Sequence, residues 1–449
     1  MKRTTHSSHY ISEQRRNYFL YTLQMRAIPA AADGLKAAGR RTLWTARDGK
    51  KYKTASLAGA TMPIHPHASP DDAINTLAGR YDNNIPLFVG DGAFGTLLEP
   101  KAYGAARYTS VKISKFTNDV VFKDIEVIPM TENYDGTLEE PVHFLPLIPI
   151  ALLNPSEGIA GGFKTDILPR SLEDIIVAQL SHLKGAKRIT EPMPKFTPLD
   201  NVSFKREEGD KSVFFYFKGD YEEIDGVTIK INKLPFGLVH SNLTNHLESL
   251  IEKGVIVDYT DNSKDKIDIV VKFKKGNLRG HDKDDILSML GLVVRHGEIL
   301  NVLDFDGKRI WNASPVDLIR KFTDWRLSWY VNRYQRLQDL LKTDLQRYYD
   351  IRTAIKNKVG AVAVKTASRS ELKQLLEEIG IINLDYIADL PVYRFTEEEK
   401  NKNQLRIDEA EATLKKYKHL LSNEDERRKI YIAELQEVLT KYTKGYYNE

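Results

Sequence analysis

A Tyr, Ser or Lys nucleophile could carry covalent chemistry in this sequence, and Tyr108, with Arg107 directly before it, is one chemically sensible candidate. A phenol is a poor nucleophile near neutral pH, because its reference pKa is about 10. A neighbouring cation favours the phenolate, and it also stabilises charge developing on a phosphate under attack. The pair lies just downstream of a glycine-rich loop holding Gly90, Gly92 and Gly95. Adjacency to arginine does not by itself select Tyr108, since the chain has 22 tyrosines and most tyrosines pack or hydrogen-bond. Other chemistries lack their residues. There is no cysteine, which removes disulfides, thiol catalysis and cysteine-bound zinc. No P-loop, HExxH zinc helix, GxSxG elbow or EF-hand loop occurs. ATP hydrolysis and self-contained metal catalysis are therefore not expected within this chain.

The charge is uneven. Net charge is only +4, yet residues 1–60 hold twelve Lys or Arg against three Asp or Glu. A block this basic suits a polyanion, because each phosphate neutralised releases condensed counterions. A solvated surface with its acidic partners elsewhere would give the same count.

The elements that must position these residues fall into three textures. At 449 residues the chain exceeds one ordinary core, so about three folding units are expected. Residues 1–170 mix helix and loop signals. Residues 171–313 read as mixed α/β. The runs at 212–219, 226–235 and 266–274 have the β-branched and aromatic content of strands. Between them Leu243, Leu247, Leu250 and Ile251 have helical spacing. Residues 314–449 are helical. Ser314, Pro315 and Asp317 make a strong helix start, and Thr396 with Glu399 opens a second helix. Two long helices running out and back around a compact tip predict an antiparallel coiled coil or an ordinary helical bundle. No apolar run approaches the ~20 residues needed to cross a bilayer. The N-terminus lacks the apolar core of a signal peptide, so a cytoplasmic protein without membrane contact is expected.

Seven segments, in order, carry a resemblance. RAIPAAADGLKAAGRR (26–41), KTASLAGATMPIHPHAS (53–69), GDGAFGT (90–96) and AARYTSVKIS (105–114) come first. LLNPSEGIAGGF (152–163), LIRKFTDWRLSWYVNR (318–333) and DYIADLPVYRFTEEE (385–399) follow. Together they resemble the breakage-reunion core shared by eukaryotic topoisomerase II with the gyrase A subunit, over nearly the whole chain. The chain length makes it most similar to the medium subunits of T-even-type phage topoisomerases, whose other functions sit on a separate partner.

The resemblance implies an α+β multidomain fold: a winged-helix breakage-reunion domain over 1–170, a tower domain over 171–313, and a coiled coil with a dimer gate over 314–449. It implies a DNA topoisomerase of type II that forms transient 5′-phosphotyrosine breaks in double-stranded DNA. Tyr108 matches the nucleophile, and Arg107 matches the arginine on the scissile phosphate. His67 matches a histidine that hydrogen-bonds the phosphate or relays a proton, and His65 shapes its turn. Arg26, Lys36, Arg40, Arg41 and Lys53 match basic positions of the DNA-binding face. Ile159 matches an isoleucine that wedges between base pairs; its alternative is a buried residue in a tight turn. Mg²⁺ and ATP are expected on the partner subunit, with no metal site in this chain. Two strands need two tyrosines, so a homodimer within a heterotetramer is expected. Ala68, Ser69 and Pro70 replace the usual glycine and acidic residue after the histidines, Ala93 alters the glycine loop and Pro155 replaces a glycine. The remaining readings are a truncated gyrase A-type subunit that supercoils with its partner, an architectural DNA-binding protein without cleavage, and a structural coiled-coil protein.

Overall fold

The computed structural model describes residues 11, 13–15, 18, 21–66, 70–210 and 212–449. Helices and sheets are both plentiful, and the architecture is α+β with more than one domain. By packing, the chain divides into two units. One extends to Arg326 and includes Ile432–Glu449; the other is Leu327–Tyr431.

In the first unit, helices α1 (Ala37–Thr45), α2 (Thr54–Thr61) and α3 (Pro70–Ala78) pack together beside a small sheet. Pro70 occupies the first helical position of α3, and Asp71 and Asp72 face the positive end of its dipole. Leu43, Leu57, Ala58, Ile74 and Ala78 supply the buried faces. The sheet orders β1 (Tyr52–Lys53), β3 (Ser110–Ile113) and β2 (Phe88–Asp91), all antiparallel, with β3 central. Its alternation is regular. Val111 and Ile113 are buried while Lys112 between them is exposed, so β3 has one register that satisfies its core.

A hairpin follows, β4 (Ser156–Ala160) with β5 (Phe163–Ile167). Beyond it stand two antiparallel sheets. The first orders β6 (Lys205–Glu208), β7 (Val213–Lys218) and β12 (Val293–Glu298). The second orders β8 (Asp220–Asp225), β9 (Thr228–Lys233), β11 (Ile269–Phe273) and β10 (Ile256–Asp261). A helix at His240–Glu252 buries Leu243, Leu247 and Leu250 in one core with Ile229, Ile231, Val271 and Phe273. The three β-branched runs form β7 in the first sheet and β9 and β11 in the second, and the leucine spacing marks the helix; β6, β8, β10 and β12 lie outside those runs.

A 42-residue helix, Pro315–Lys356, starts at Ser314, whose hydroxyl accepts from the Asp317 amide at 3.1 Å. In the second unit, it packs against Glu397–Ser422, which starts at Thr396 in the same way, through the Glu399 amide. Tyr334 meets Tyr417, Leu345 packs with Ile407 and Ala410, and Asn403 donates to the Tyr348 carbonyl. Rising numbers on one helix meet falling numbers on the other, so the pair is antiparallel. The tip closes over Ile351, Ala354, Leu376, Ile381 and Ile387. Buried Asp350 accepts from the Asn383 amide at 2.8 Å and from its side chain at 2.7 Å. Among the described residues, no helix is long and apolar enough to cross a membrane.

Candidate active site

Tyr108 stands on a turn entering β3, held entirely by its backbone. Its amide donates to the Ala105 carbonyl at 2.8 Å, and its own carbonyl accepts from the Lys53 ammonium at 3.4 Å. On either side the chain is pinned to the first residues of α2, directly after Lys53. The Ala55 amide donates to Ala106 and the Thr54 amide to Thr109, each at 3.1 Å. The buried Thr54 and Thr109 hydroxyls meet at 2.7 Å. The phenol itself is 69% exposed. Arg107 is exposed beside it, with its guanidinium carbon 4.7 Å from the ring centroid. Neither side chain has a carboxylate partner among the described residues. A phenol and a guanidinium thus face solvent together on a hydrogen-bonded backbone, an arrangement suited to a large anionic substrate.

The basic residues divide into two groups. Arg26 and Lys53 are exposed. Lys36 is half-buried and donates to the Glu157 carbonyl at 2.5 Å; burial pulls its ammonium below the usual lysine range, with the Glu157 carboxylate opposing. Arg40 and Arg41 face inward. Arg40 makes a two-pronged pair with fully buried Asp33, at 2.6 and 2.8 Å. Arg41 is buried, forks onto Glu140, and lies 3.7 Å from the Met25 sulfur. Neither guanidinium can meet a phosphate without breaking its internal pair. Both were expected on the DNA face; each is engaged in an internal ion pair, the partner that a charge needs when it is taken out of water.

His65 is likewise engaged. Its Nε2 lies 2.7 Å from the Tyr21 hydroxyl, and its ring meets Tyr134 edge-on at 5.6 Å. His67 lies outside the described residues.

Ile159 is 77% exposed near the end of the β4–β5 hairpin, opposite Lys164. It is no buried turn residue. Phe163, across the Gly161–Gly162 turn, adds a second exposed apolar side chain that sequence reading passed over; apolar residues flanking a double glycine are the signal for it. The hairpin backbone lies against Leu23–Ala27. A Cβ on Gly158 would stand 2.0 Å from the Ala27 carbonyl oxygen, so only glycine allows this approach. The Lys36 contact with Glu157 ties the same hairpin to the start of α1.

No group of three or more His, Asp or Glu with metal-binding geometry occurs among the described residues. Asp91, which pairs with Ser110 across the sheet, is salt-bridged to Lys51 at 2.5 Å.

Known proteins share this sequence pattern. The DNA gyrase/topoisomerase IV A-subunit family matches residues 26–436. The chain is 28% identical over 406 residues to the DNA topoisomerase medium subunit of Enterobacteria phage T4, covering 86% of this chain and 89% of that protein. It is 32% identical over 242 residues to the DNA topoisomerase 4 A subunit of Borreliella burgdorferi, covering 53% of this chain and 38% of that protein. It is 28% identical over 478 residues to the DNA gyrase A subunit of Streptomyces coelicolor, covering 96% of this chain and 55% of that protein. The chain thus spans most of the phage protein but about half the length, or less, of these cellular relatives.

Proposed function

The chain belongs to the DNA gyrase/topoisomerase IV A-subunit family, and from that premise we propose that Tyr108 is the nucleophile with which it breaks and rejoins DNA. The phenol oxygen attacks a backbone phosphorus. A P–O bond to the 3′ oxygen breaks as the O–P bond to tyrosine forms, the phenol proton leaves, and the 3′ oxygen gains one. The 5′-phosphotyrosine conserves the bond energy, so reversal reseals the strand. Two tyrosines, one per strand, make a double-strand break through which a second duplex passes. The observation that carries the reading is the exposed Arg107–Tyr108 pair on a doubly pinned backbone.

Arg107 is the cation for charge developing on the phosphate. Lys53 and Arg26, both exposed, are the DNA-facing cations, and Lys36 positions the Ile159 hairpin as much as it contacts DNA. The three helices with the β1–β3–β2 sheet read as a winged-helix domain, the paired sheets beyond as a tower, and the antiparallel helices as a coiled coil leading to a homodimer gate. Ile159 and Phe163 form an apolar wedge for the base stack. Mg²⁺ and ATP are assigned to a partner subunit that completes a heterotetramer. The metal would supply positive charge at the scissile phosphate. The setting is a cytoplasm, that of the host for a phage-encoded chain.

Two variants test these roles in a complex with the partner subunit. Arg107→Ala is expected to slow cleavage about 10²–10³-fold at saturating DNA, the usual loss for one oxyanion-stabilising donor. Cleavage at the wild-type rate would remove Arg107 from the reaction. Ile159→Ala is expected to relax the DNA bend, read by energy transfer between the duplex ends, and to weaken binding about tenfold through lost wedge contacts. An unchanged bend would assign the wedge elsewhere.

A further inference from the structure

The Tyr108 side chain is largely exposed, with the Arg107 guanidinium beside its ring, so its position depends on the backbone that carries it and on the loop before it. Residues 92–104 form that loop; Phe94 is buried, Leu97 and Leu98 pack against the core of the second sheet, and a side-chain hydrogen bond holds the loop's end. The Tyr103 hydroxyl donates to the Asp82 carboxylate at 2.5 Å. Asp82 lies between α3 and β2, and both partners are half-buried. Burial pushes the Tyr103 phenol up, and its hydrogen bond to Asp82 adds to this, so the phenol keeps its proton and donates it. Burial also raises the Asp82 carboxyl, against the pull of Tyr103 and Lys101.

The tie reaches Tyr108 through backbone. Tyr103 bridges Phe94, which is buried, and the Gly104 amide donates to the Ala93 carbonyl at 2.8 Å. A Cβ on Gly104 would stand 3.1 Å from the Thr109 methyl and 3.3 Å from the Ala93 Cβ. The Tyr103–Gly104 segment therefore lies directly against the residue that follows Tyr108. Thr109 is held on its other side by Thr54. The Tyr108 turn is gripped between two supports, and Asp82 anchors one of them.

We propose that Asp82 and Tyr103 are positioning residues for the cleavage reaction, a hydrogen-bonded latch that fixes the glycine-rich loop and, through Gly104 and Thr109, the placement of Tyr108. The proposal rests on the reading of Tyr108 as nucleophile. Misplacement of a reacting group by about 1 Å costs on the order of 10²-fold in rate, so a loosened latch acts on the chemical step at saturating DNA and leaves affinity alone.

Tyr103→Phe keeps the ring and deletes only the hydroxyl. Two measurements are made. Amide hydrogen exchange over residues 92–109 uses the chain by itself. Covalent adduct formation uses the chain with its Mg²⁺-holding partner and a range of duplex concentrations. Exchange at Gly104 and Tyr108 is expected to rise about tenfold, as local opening becomes easier. Adduct formation at saturating DNA is expected to fall about tenfold, with half-saturation and melting temperature unchanged. Asp82→Ala should match it, the double variant should be no worse than either, and Asp82→Asn, which retains an accepting oxygen, should recover most of the rate. Unchanged exchange with an unchanged saturated rate overturns the latch. So does a fall in rate matched by equal losses of affinity and melting temperature, which marks a general structural role. If the wild-type complex forms no adduct at Tyr108, the reading of the nucleophile fails, and the exchange result alone decides whether the latch exists.

Discussion

Tyr108→Phe leaves DNA bound within about twofold of wild type and abolishes the covalent protein–DNA adduct, a loss of about 10⁴-fold or more, as when other enzymes lose their nucleophile. The two halves of that result have separate causes. The phenol is largely exposed and its hydroxyl has no hydrogen-bond partner among the described residues, so deleting the oxygen leaves no buried group unsatisfied. The phenylalanine ring still lies under the Arg107 guanidinium, so surface shape and local charge persist. Stability should therefore move by less than about 0.5 kcal/mol, as for surface substitutions generally. Only the attacking atom is gone. The check is a detergent-stopped reaction of the chain, its partner subunit, Mg²⁺ and supercoiled plasmid, scored for linear DNA with protein on its 5′ ends. Adduct persisting in the phenylalanine variant would sink Tyr108 as the nucleophile. Tight binding with no adduct even in the wild-type complex would favour an architectural role.

The order of motifs was enough to find the family, the α+β class and the long helices, because each rests on short-range pattern. Leu243, Leu247 and Leu250 bury as their spacing requires, and Ser314 and Thr396 start their helices as capping residues. Charge was less legible. Arg26, Arg40 and Arg41 look alike in a count of cations, yet one faces solvent while the other two are enclosed with Asp33 and Glu140. The acidic partner of Arg41 is 99 residues away in sequence, so no local window contains it. The C-terminal segment is a similar case. Lys441 bonds Asp119 at 2.8 Å and the Tyr447 ring meets Phe116 edge-on, so residues 432–449 count with the first unit rather than with the helices they follow. Helical periodicity reports that a face is apolar and is silent about which surface covers it.

The enclosed arginines lead to the second large effect, at Asp33. This carboxylate is fully buried and takes four hydrogen bonds: two from Arg40, one from the Leu35 amide at 3.1 Å and one from the Phe144 amide at 3.0 Å. Burial, the largest single influence, would lower the Arg40 pKa; the Asp33 charge and hydrogen bond and the Glu140 charge together outweigh it and raise it, so the guanidinium stays protonated. Asp33→Ala strands that cation, with a side chain only 11% exposed, and leaves two amides without acceptors. Breaking a buried pair from one side costs about 3–5 kcal/mol, a large share of the ~5–15 kcal/mol that holds a typical domain. The same segment carries Lys36, whose contact with Glu157 holds the Ile159 hairpin, so DNA bending should weaken along with stability. Replacing both partners, Asp33→Leu with Arg40→Met, removes the stranded charge and should be milder than Asp33→Ala alone. Denaturant unfolding and amide exchange at Leu35 and Phe144 measure the difference. A cost below about 1 kcal/mol, the range of an exposed ion pair, would mean that Arg40 finds water or another carboxylate when Asp33 is removed, and that its place is on the surface that meets DNA.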